Sequence, residues 1–431
     1  MSADLAALKA ELLSRTGRGA EYGLQRIEAA LEGLGHPERA CRVVHVGGTN
    51  GKGSVCAMLT AILRAAGKHT GTFTSPHLCH LAERIRLDGE PIDDTRFAAA
   101  LATVLDPRLP ALTFFEAMTA AGFVAMRDAG VDLAVFEVGL GGRLDATNVV
   151  PEPRVTAVVS VGLDHTRILG EDTATIAREK AAIAKPGVPF VLGPMDDAAR
   201  DASEELALAR GADPIWIYGR DFALEEDASG ISVRTPDGLS HAPSLALDGP
   251  HQRRNAAVAI ALCHLLARRG DLPRDLDACI AEGLRTASWP GRLERVERDG
   301  VTVLLDCAHN SHAVEALTQA LGDLDPARSH LVFGALGDKS WQEMLAGLAP
   351  LAARRYYCPP IVELAGRLPA PPSALAESQP GAAFDAPEAA IDAALAAASP
   401  GDTILVTGSI FLVGAVRVHL VGGPRDVAVA L

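Results

Sequence analysis

Short apolar runs rich in β-branched residues alternate along the chain with longer, Ala-rich stretches of helical character. An apolar run that ends in Gly, Pro or polar residues predicts a buried strand, and the stretches between the runs predict helices. Strands that alternate with helices in this way are typical of parallel βαβ units. The pattern predicts an α/β fold with strands over 42–46, 69–73, 133–138, 155–161 and 188–192 and helices over 54–66 and 115–128.

The pattern changes over residues 213–247, where short alternating pieces are broken by turn residues. Such a pattern predicts a small antiparallel addition to the domain. Two further helices, over 255–268 and 276–285, lead to the sequence SWPGR at 288–292, in which Trp-Pro-Gly ends any helix.

A second series of strands and helices follows the SWPGR sequence, with strands over 301–305, 330–333, 355–358 and 403–407. A chain of 431 residues also exceeds the length of one ordinary hydrophobic core. We therefore expect two domains with a boundary near residue 296. Residues 1–296 would form a parallel-sheet domain, and residues 297–431 would form a smaller α/β domain.

Charge and composition narrow the classes of function. The chain has 40 Lys and Arg residues against 54 Asp and Glu residues, a net charge of −14, which argues against a protein that coats nucleic acid. No apolar run reaches the roughly 18 residues of a membrane helix, and the N-terminus shows no secretory signal pattern. The seven cysteines are scattered without a CxxC pair, which favours a cytoplasmic protein and argues against a zinc site.

The strongest chemical signal is the sequence HVGGTNGKGS at 45–54, between a predicted strand and a predicted helix. A glycine-rich turn before a helix presents backbone N–H groups to phosphate. Lys52 can reach the outer phosphates, and the Ser54 hydroxyl can bind a metal ion. The spacing departs from the strict Walker A pattern, because a glycine separates Lys52 from Ser54. We nevertheless expect a phosphate-binding loop here.

Polar residues follow other predicted strands at the point where each strand ends. Glu137 lies at the exit of the strand over 133–138, and Asp164 and His165 follow the strand over 155–161. The carboxyl ends of parallel strands share one edge of a sheet, so these residues, the sequence TSPHL at 74–78 and the phosphate loop should meet in one crevice. Glu137 is placed to hold Mg²⁺ there.

Three other charged residues are ambiguous from the residues alone. Lys180 lies on a predicted helix beside Glu179 and has the features of an ordinary solvated lysine. Arg292 and Asp306 flank the predicted linker on its two sides. Arg292 could reach a triphosphate when two domains close, or it could form a structural ion pair.

Taken together, these motifs resemble the folylpolyglutamate synthase and dihydrofolate synthase family, which is related to the Mur ligases. The resemblance covers nearly the whole chain, and the departure from Walker A spacing is the family's own form. The family motifs found here are GTNGKGS at 48–54, TSPHL at 74–78, EVGLGG at 137–142, LDHTRILG at 163–170, EKAAIAKPG at 179–187, HQRRNA at 251–256, WPGRLE at 289–294 and DCAHN at 306–310.

The resemblance implies ATP and Mg²⁺, with two metal ions expected, in a P-loop ATP-binding domain that a second domain closes. It implies a carbamylated side chain for Lys180. The ATP phosphates would be bound by Asn50, Gly51, Lys52, Gly53 and Ser54. The remaining ATP contacts would come from Asn255, Arg292, Asp306 and His309. The metal ligands would be Ser54, Ser75, Glu137 and His165.

The sequences LTFFE at 112–116 and GGRLDATN at 141–148 resemble those of bifunctional bacterial members. This implies that dihydropteroate, reduced folates and L-glutamate are the substrates, and that the partners are small molecules rather than nucleic acid or membrane. The pterin would be bound by Thr113, Phe115 and Asp145, with Glu21, Tyr22 and Gly23 nearby. Phe115 suits stacking on a pterin, but an aromatic residue in an apolar helix is also typical of a core.

We therefore expect an ATP-dependent, amide-forming ligase that works through an acyl phosphate, as a cytoplasmic monomer. The residues expected to act in catalysis are Lys52, His165, Lys180 and Arg292. Three alternatives stay open: a monofunctional folylpolyglutamate synthase, another Mur-type ligase or small-molecule kinase, and a protein that binds ATP without chemistry.

Overall fold

The computed structural model of the chain describes residues 4–18, 23–360, 367–427 and 429. Within these ranges the strands form two large sheets and one small sheet, and helices cover the faces of both large sheets. The predicted α/β class is confirmed. No helix in the described ranges is long and apolar enough to cross a membrane.

The first large sheet contains eight strands. They are β1 Arg42–Gly47, β2 Thr70–Phe73, β3 Ile85–Leu87, β4 Glu90–Pro91, β5 Leu133–Glu137, β6 Val155–Val158, β7 Phe190–Leu192 and β8 Ile215–Ile217. Their order is β4-β3-β2-β5-β1-β6-β7-β8, and β3 alone runs antiparallel to the other seven strands. The five predicted strands are confirmed within a few residues, although β6 ends at Val158, three residues before its predicted end.

Helices pack on both faces of this sheet. They are α1 Leu5–Ser14, α2 Gln25–Gly33, α3 Lys52–Ala65, α4 Asp94–Val104, α5 Phe114–Ala129, α6 Thr166–Leu169, α7 Thr173–Ala181, α8 Asp197–Ala209, α9 Pro250–Arg268 and α10 Asp277–Thr286. Side chains alternate along a strand, so neighbouring residues of β1 enter different cores. Val44 and Val46 pack in the core with α3 and α9, whereas Val43 packs in the core with α4 and α5.

The small sheet consists of β9 Ala223–Asp227, β10 Gly230–Thr235 and β11 Gly238–Ala242, and all three strands are antiparallel. The predicted antiparallel addition over 213–247 is therefore confirmed for these strands. It is wrong for β8, which lies in the same stretch but pairs in parallel with β7 at the edge of the first large sheet. Apolar Ile215, Trp216 and Ile217 continue the sheet because β7 offers them an unpaired edge.

The second large sheet contains β12 Glu294–Arg298, β13 Val301–Leu305, β14 Ser329–Phe333, β15 Arg354–Tyr357, β16 Ala382–Ala383 and β17 Thr403–Thr407. Its order is β12-β13-β17-β14-β15-β16, and only β12 runs antiparallel. The helices of this part are α11 Ser311–Ala320, α12 Trp341–Leu348, α13 Pro372–Ser378, α14 Pro387–Ala397 and α15 Ile410–Val421. The domain boundary expected near residue 296 falls inside β12. Because β12 pairs with β13, we propose a boundary just before Glu294.

Candidate active site

A cleft lies where the carboxyl ends of the two large sheets face each other. The first sheet supplies the segments after β1, β2, β5 and β6, and the second supplies those after β13, β14 and β17. The expected crevice at the strand ends is thus present, and the second sheet forms its opposite wall. Of the predicted residues, those that line the cleft are Asn50, Gly51, Lys52, Gly53, Ser75, Glu137, His165, Lys180, Arg292 and His309.

The phosphate loop connects β1 to the N-terminus of α3. Gly51 precedes the helix with a φ of 82°, a left-handed conformation that glycine adopts without strain. The Lys52 ammonium donates hydrogen bonds to the carbonyls of Gly48 and Thr49, each at 3.1 Å. The lysine charge and the first N–H groups of α3 therefore face the same space, an arrangement that suits phosphate oxygens.

Oxygen donors suitable for a divalent cation lie beside Lys52. The Glu137 carboxylate accepts a hydrogen bond from the Ser75 amide at 3.1 Å, and its other oxygen lies 4.0 Å from the Lys52 ammonium. Burial raises the pKa of Glu137, although the Lys52 charge opposes this effect. The Ser75 hydroxyl oxygen is buried without a hydrogen-bond partner. A hydroxyl and a carboxylate beside a phosphate site fit Mg²⁺.

The described residues contain no group of three His, Cys, Asp or Glu side chains close enough to hold a metal ion by themselves. Mg²⁺ normally takes one or two protein carboxylates and completes its coordination with water and substrate phosphates. Ser54, the fourth predicted metal ligand, is buried in the first turn of α3. The side chains present therefore suit a cation that binds together with the nucleotide.

An ion pair joins the two sides of the cleft. The Lys339 ammonium lies 2.6 Å from the Asp164 carboxylate, and the Asn310 amide donates to the other Asp164 oxygen at 3.2 Å. Burial would raise the pKa of Asp164, but the Lys339 charge and the hydrogen bond from Lys339 outweigh it and hold that pKa well below its usual range. Burial lowers the pKa of His165 to about 4, so its imidazole is neutral at pH 7 and can bind a metal ion.

Asn50 of the phosphate loop makes a second set of contacts across the cleft. Its side-chain amide lies 3.3 Å from the Asn310 side-chain oxygen and 3.0 Å from Nδ1 of His312. The Asn310 amide in turn donates to the Asn50 oxygen at 3.1 Å. The second domain thus contacts both the phosphate loop and the segment that carries Asp164.

Lys180 is not the solvated lysine that its local sequence indicates. Its side chain is buried, and its ammonium donates to the Gly48 carbonyl at 3.0 Å. Burial and the neighbouring charge of Lys52 lower its pKa to about 7. A substantial fraction of the neutral amine is therefore present at neutral pH, and this is the form that can react with carbon dioxide.

Of the other four residues predicted to contact the nucleotide, two line the cleft and two do not. Arg292 and His309 line the cleft, and the His309 ring contacts the Cys307 carbonyl at 2.9 Å. Asp306 lies outside the lining and accepts hydrogen bonds from the backbone amides of Leu293 and Ala308, while burial raises its pKa. Asn255 packs against Gly51, where a Cβ atom would come within 2.5 Å of the Asn255 oxygen.

The residues assigned to the pterin do not line the cleft. Thr113 caps α5 in a capping box with Glu116, and Phe115 packs 6.1 Å from the Phe73 ring. Asp145 is buried and accepts hydrogen bonds from the amides of Leu140 and Thr147. Among the three residues nearby, Gly23 begins the segment before α2 with a φ of 145°, and Glu21 and Tyr22 lie outside the described residues.

Comparisons with known proteins decide the family. The Mur ligase middle domain model matches residues 46–263, and the Mur ligase glutamate ligase domain model matches residues 291–410. The dihydrofolate synthase/folylpolyglutamate synthase of Escherichia coli K12 is 36% identical over 408 residues, which cover 91% of this chain and 90% of that protein. This chain belongs to the folylpolyglutamate synthase and dihydrofolate synthase family of Mur ligases.

Solved structures of this family match over nearly the whole chain. The structure of E. coli FolC in complex with DHPP and ADP has a TM-score of 0.83 and 32% identity, and the match covers 96% of both chains. A bifunctional folylpolyglutamate synthase/dihydrofolate synthase from Yersinia pestis, complexed with AMPPNP and Mn ion, has a TM-score of 0.85 and 32% identity, with 96% and 98% coverage. The chain spans about half the length of its relatives from Haloferax volcanii and Halobacterium salinarum.

The family assignment confirms the resemblance inferred from the motifs, but the role of each site residue stays a prediction. Lys339 and Asn310 had no predicted role, yet both contact Asp164 in the cleft. One signal was available for Lys339. It is the only lysine after residue 296, and it follows β14 in the sequence GALGDK, at a strand end of the kind that carries the other cleft residues.

Proposed function

We propose that this family member uses ATP to join L-glutamate to dihydropteroate and to the γ-carboxylate of reduced folates. One observation carries the proposal: the phosphate loop, the Glu137 and Ser75 donors, and Arg292 and Lys339 line a single cleft between two domains. A carboxylate does not form an amide with an amine directly, so it must first be activated. Transfer of the ATP γ-phosphoryl group to the carboxylate gives an acyl phosphate, and the glutamate amine attacks this and releases phosphate.

The residues of the cleft serve the first step by holding negative charges together. Lys52 and the N–H groups of the phosphate loop bind phosphate oxygens, and Arg292 lies on the opposite wall, where it can bind the transferring group. Mg²⁺, when bound, neutralises charge on the phosphates, with Ser75, Glu137 and His165 as its proposed ligands. Contacts of Asn310 and Lys339 with the first domain close the cleft, which protects an acyl phosphate from water.

We propose that Lys180 acts in its carbamylated form. Its pKa near 7 leaves enough neutral amine to take up carbon dioxide, and the product is a carboxylate on a long stem. A carboxylate at this place would face Lys52, whose charge already contributes to the low pKa of the Lys180 amine. Carbamylation would replace the Lys180 ammonium, which Lys52 repels, by a carboxylate, which Lys52 attracts. This change in charge supports the proposed modification.

We propose both glutamylation activities for this chain. Support comes from the E. coli relative, whose name includes both activities and whose solved structure holds DHPP. The alternative is a monofunctional enzyme, since a relative from Lacticaseibacillus casei, 34% identical over 419 residues, is named folylpolyglutamate synthase alone.

The deciding experiment measures ADP release with ATP, Mg²⁺ and glutamate, with either dihydropteroate or tetrahydrofolate as acceptor, and determines product masses in parallel. One added glutamyl unit on each acceptor is the expected result. Turnover with the folate alone would remove the dihydropteroate activity. ATP turnover without glutamate would indicate a kinase, and ATP binding without ADP release would indicate a binding protein. The Lys52→Ala variant should keep its circular dichroism spectrum and form no acyl phosphate.

A second experiment tests the predicted pterin residue. Asp145→Ala should lose more dihydropteroate glutamylation than folate glutamylation, because the resemblance to bifunctional members assigns Asp145 to the pterin pocket. Asp132→Ala is the matched control: Asp132 also accepts a backbone hydrogen bond, from the exposed His69 amide, but it lies outside the cleft. Equal losses with both acceptors would refute a selective role for Asp145.

We also propose a cytoplasmic monomer. All seven cysteines are free thiols, which agrees with a reducing compartment. Size-exclusion chromatography with light scattering should give the mass of one chain, 44.9 kDa. A mass of twice this value at micromolar concentration would contradict the monomer.

A further inference from the structure

The end of the chain returns from the second domain to the first. After α15 ends at Val421, the chain reaches the first domain, which Asp426 and Val429 contact; we call residues 424–427 and 429 the C-terminal strap. The family model of the second domain ends at residue 410, so α15 and the strap lie almost entirely beyond the matched region.

Asp426 provides the strongest contacts of the strap. Its amide donates to the Cys79 carbonyl at 3.0 Å, and its carboxylate accepts from the Leu81 amide at 2.8 Å. The same carboxylate lies 2.9 Å from the Lys9 ammonium, and both side chains are only about one-fifth exposed. One residue near the C-terminus thus contacts α1 and the segment that follows β2.

That segment, residues 75–83, begins with Ser75 and is held from several sides. The Glu83 carboxylate accepts hydrogen bonds from the Leu78 and Cys79 amides at 2.7 and 3.2 Å. Helix α15 packs directly on the segment at Gly414, where an added Cβ atom would lie 2.1 Å from the Leu78 carbonyl oxygen. The second domain therefore forms part of the support for this segment of the first domain.

The strap also supplies a hydrogen-bond acceptor to a buried charge. Arg84 is fully buried, donates to the His77 ring at 3.0 Å and donates to the Val429 carbonyl at 3.1 Å. The Val429 side chain is itself buried in the core with α4 and α5. An unsatisfied buried donor costs stability, so the strap and the first domain stabilise each other here.

We propose that the C-terminal strap holds the 75–83 segment in place, with Asp426 as a positioning residue for the Ser75 hydroxyl. Ser75 is the first residue of this segment, and its amide is bonded to Glu137. Displacement of the segment would therefore move one metal donor away from the other. The consequence for the metal-dependent step rests on the proposed function, whereas the mechanical role of the strap does not.

Hydrogen exchange, followed by mass spectrometry of peptides that span 75–84, tests the mechanical role in the protein without ligands. Asp426→Ala removes the acceptor for the Leu81 amide, so exchange of this segment should be about tenfold faster. Asp426→Asn retains an oxygen for that amide and loses the charge opposite Lys9, so its effect should be smaller. Asp392→Ala is the matched control, because Asp392 accepts from His419 on α15 without contacting the segment.

If hydrogen exchange in residues 75–84 is as slow in both Asp426 variants as in the Asp392→Ala control, the proposal is overturned. This outcome does not depend on whether the enzyme turns over.

The second readout is the Mg²⁺ dependence of ADP release. Asp426→Ala should need several-fold more Mg²⁺ for half-maximal rate and recover most of kcat at saturation, since Ser75 itself is retained. A lower kcat with unchanged Mg²⁺ dependence would contradict the link to Ser75. Absence of glutamylation in the parent protein would refute the proposed function and leave the exchange result valid.

Discussion

Replacement of the buried Lys180 by methionine should stabilise the protein while it removes a proposed site residue. Methionine has a similar length and no charge. Lys180 is 5% exposed, its ammonium has one hydrogen bond, to the Gly48 carbonyl, and its pKa falls from the ordinary 10.5 to about 7. The folded protein therefore binds this proton less tightly than the unfolded chain does, and a charged Lys180 costs stability.

The size of the effect follows from the two pKa values. A change from 10.5 to about 7 corresponds to roughly 5 kcal/mol, at about 1.4 kcal/mol per pH unit. The lost hydrogen bond to Gly48 offsets about 1 kcal/mol of this gain. We expect Lys180→Met to raise the free energy of unfolding by roughly 4 kcal/mol at pH 6.

The pH dependence of the difference in unfolding free energy between Lys180→Met and the parent provides a second test of its sign. Between pH 7 and 10.5 the unfolded parent chain holds more protons on Lys180 than the folded chain, so the stability of the parent rises with pH. The advantage of the variant should therefore be constant below pH 7 and shrink to roughly 1 kcal/mol by pH 9.

Urea unfolding followed by circular dichroism, at pH 6 to 9 in buffer free of carbon dioxide, measures this difference. Lys68→Met, a change at a half-buried lysine outside the cleft, is the control. Added bicarbonate should stabilise the parent and not Lys180→Met if the amine is carbamylated. A variant that is no more stable than the parent at pH 6, or an advantage that does not shrink by pH 9, would refute the reasoning.

Three further predictions concern buried contacts. Lys339→Met leaves Asp164 in the cleft without its ion-pair partner, so the melting temperature and the glutamylation rate should both fall; an unchanged melting temperature would contradict the closing role of the pair. Asp271→Asn removes a buried carboxylate that pairs with two partly exposed arginines, at 2.6 and 3.1 Å, and should lower the free energy of unfolding by about 1 to 3 kcal/mol in urea titrations. Gly283→Ala would place a Cβ atom of α10 2.5 Å from the Ile62 Cα atom of α3, so we expect the free energy of unfolding to fall by about 1 to 3 kcal/mol. Because α3 follows the phosphate loop, the KM for ATP should also rise. A melting curve like that of the parent would show that α10 can move away from α3 without cost.

The sequence by itself determined the elements whose signals are local. Alternating apolar runs and helical stretches predicted β1, β5 and α3, because a buried strand and an amphipathic helix each place their apolar residues at a fixed period. The phosphate loop was recognisable since its glycines, Lys52 and Ser54 are adjacent in the chain. Glu137 could be predicted to lie in the crevice because a carboxylate is unusual at the end of a buried strand, and the strand and the carboxylate lie within a few residues of each other in the sequence.

Only the tertiary structure decided which distant residues meet. The burial of Lys180 depends on the strands and helices around it, so its own sequence indicates an exposed lysine. The pairing of Lys339 with Asp164 requires two sheets to face each other, and the contact of Asp426 with Leu81 joins residues 345 positions apart. Such contacts leave no periodic trace in either segment, because their geometry is set by the packing of whole domains and not by the local chain.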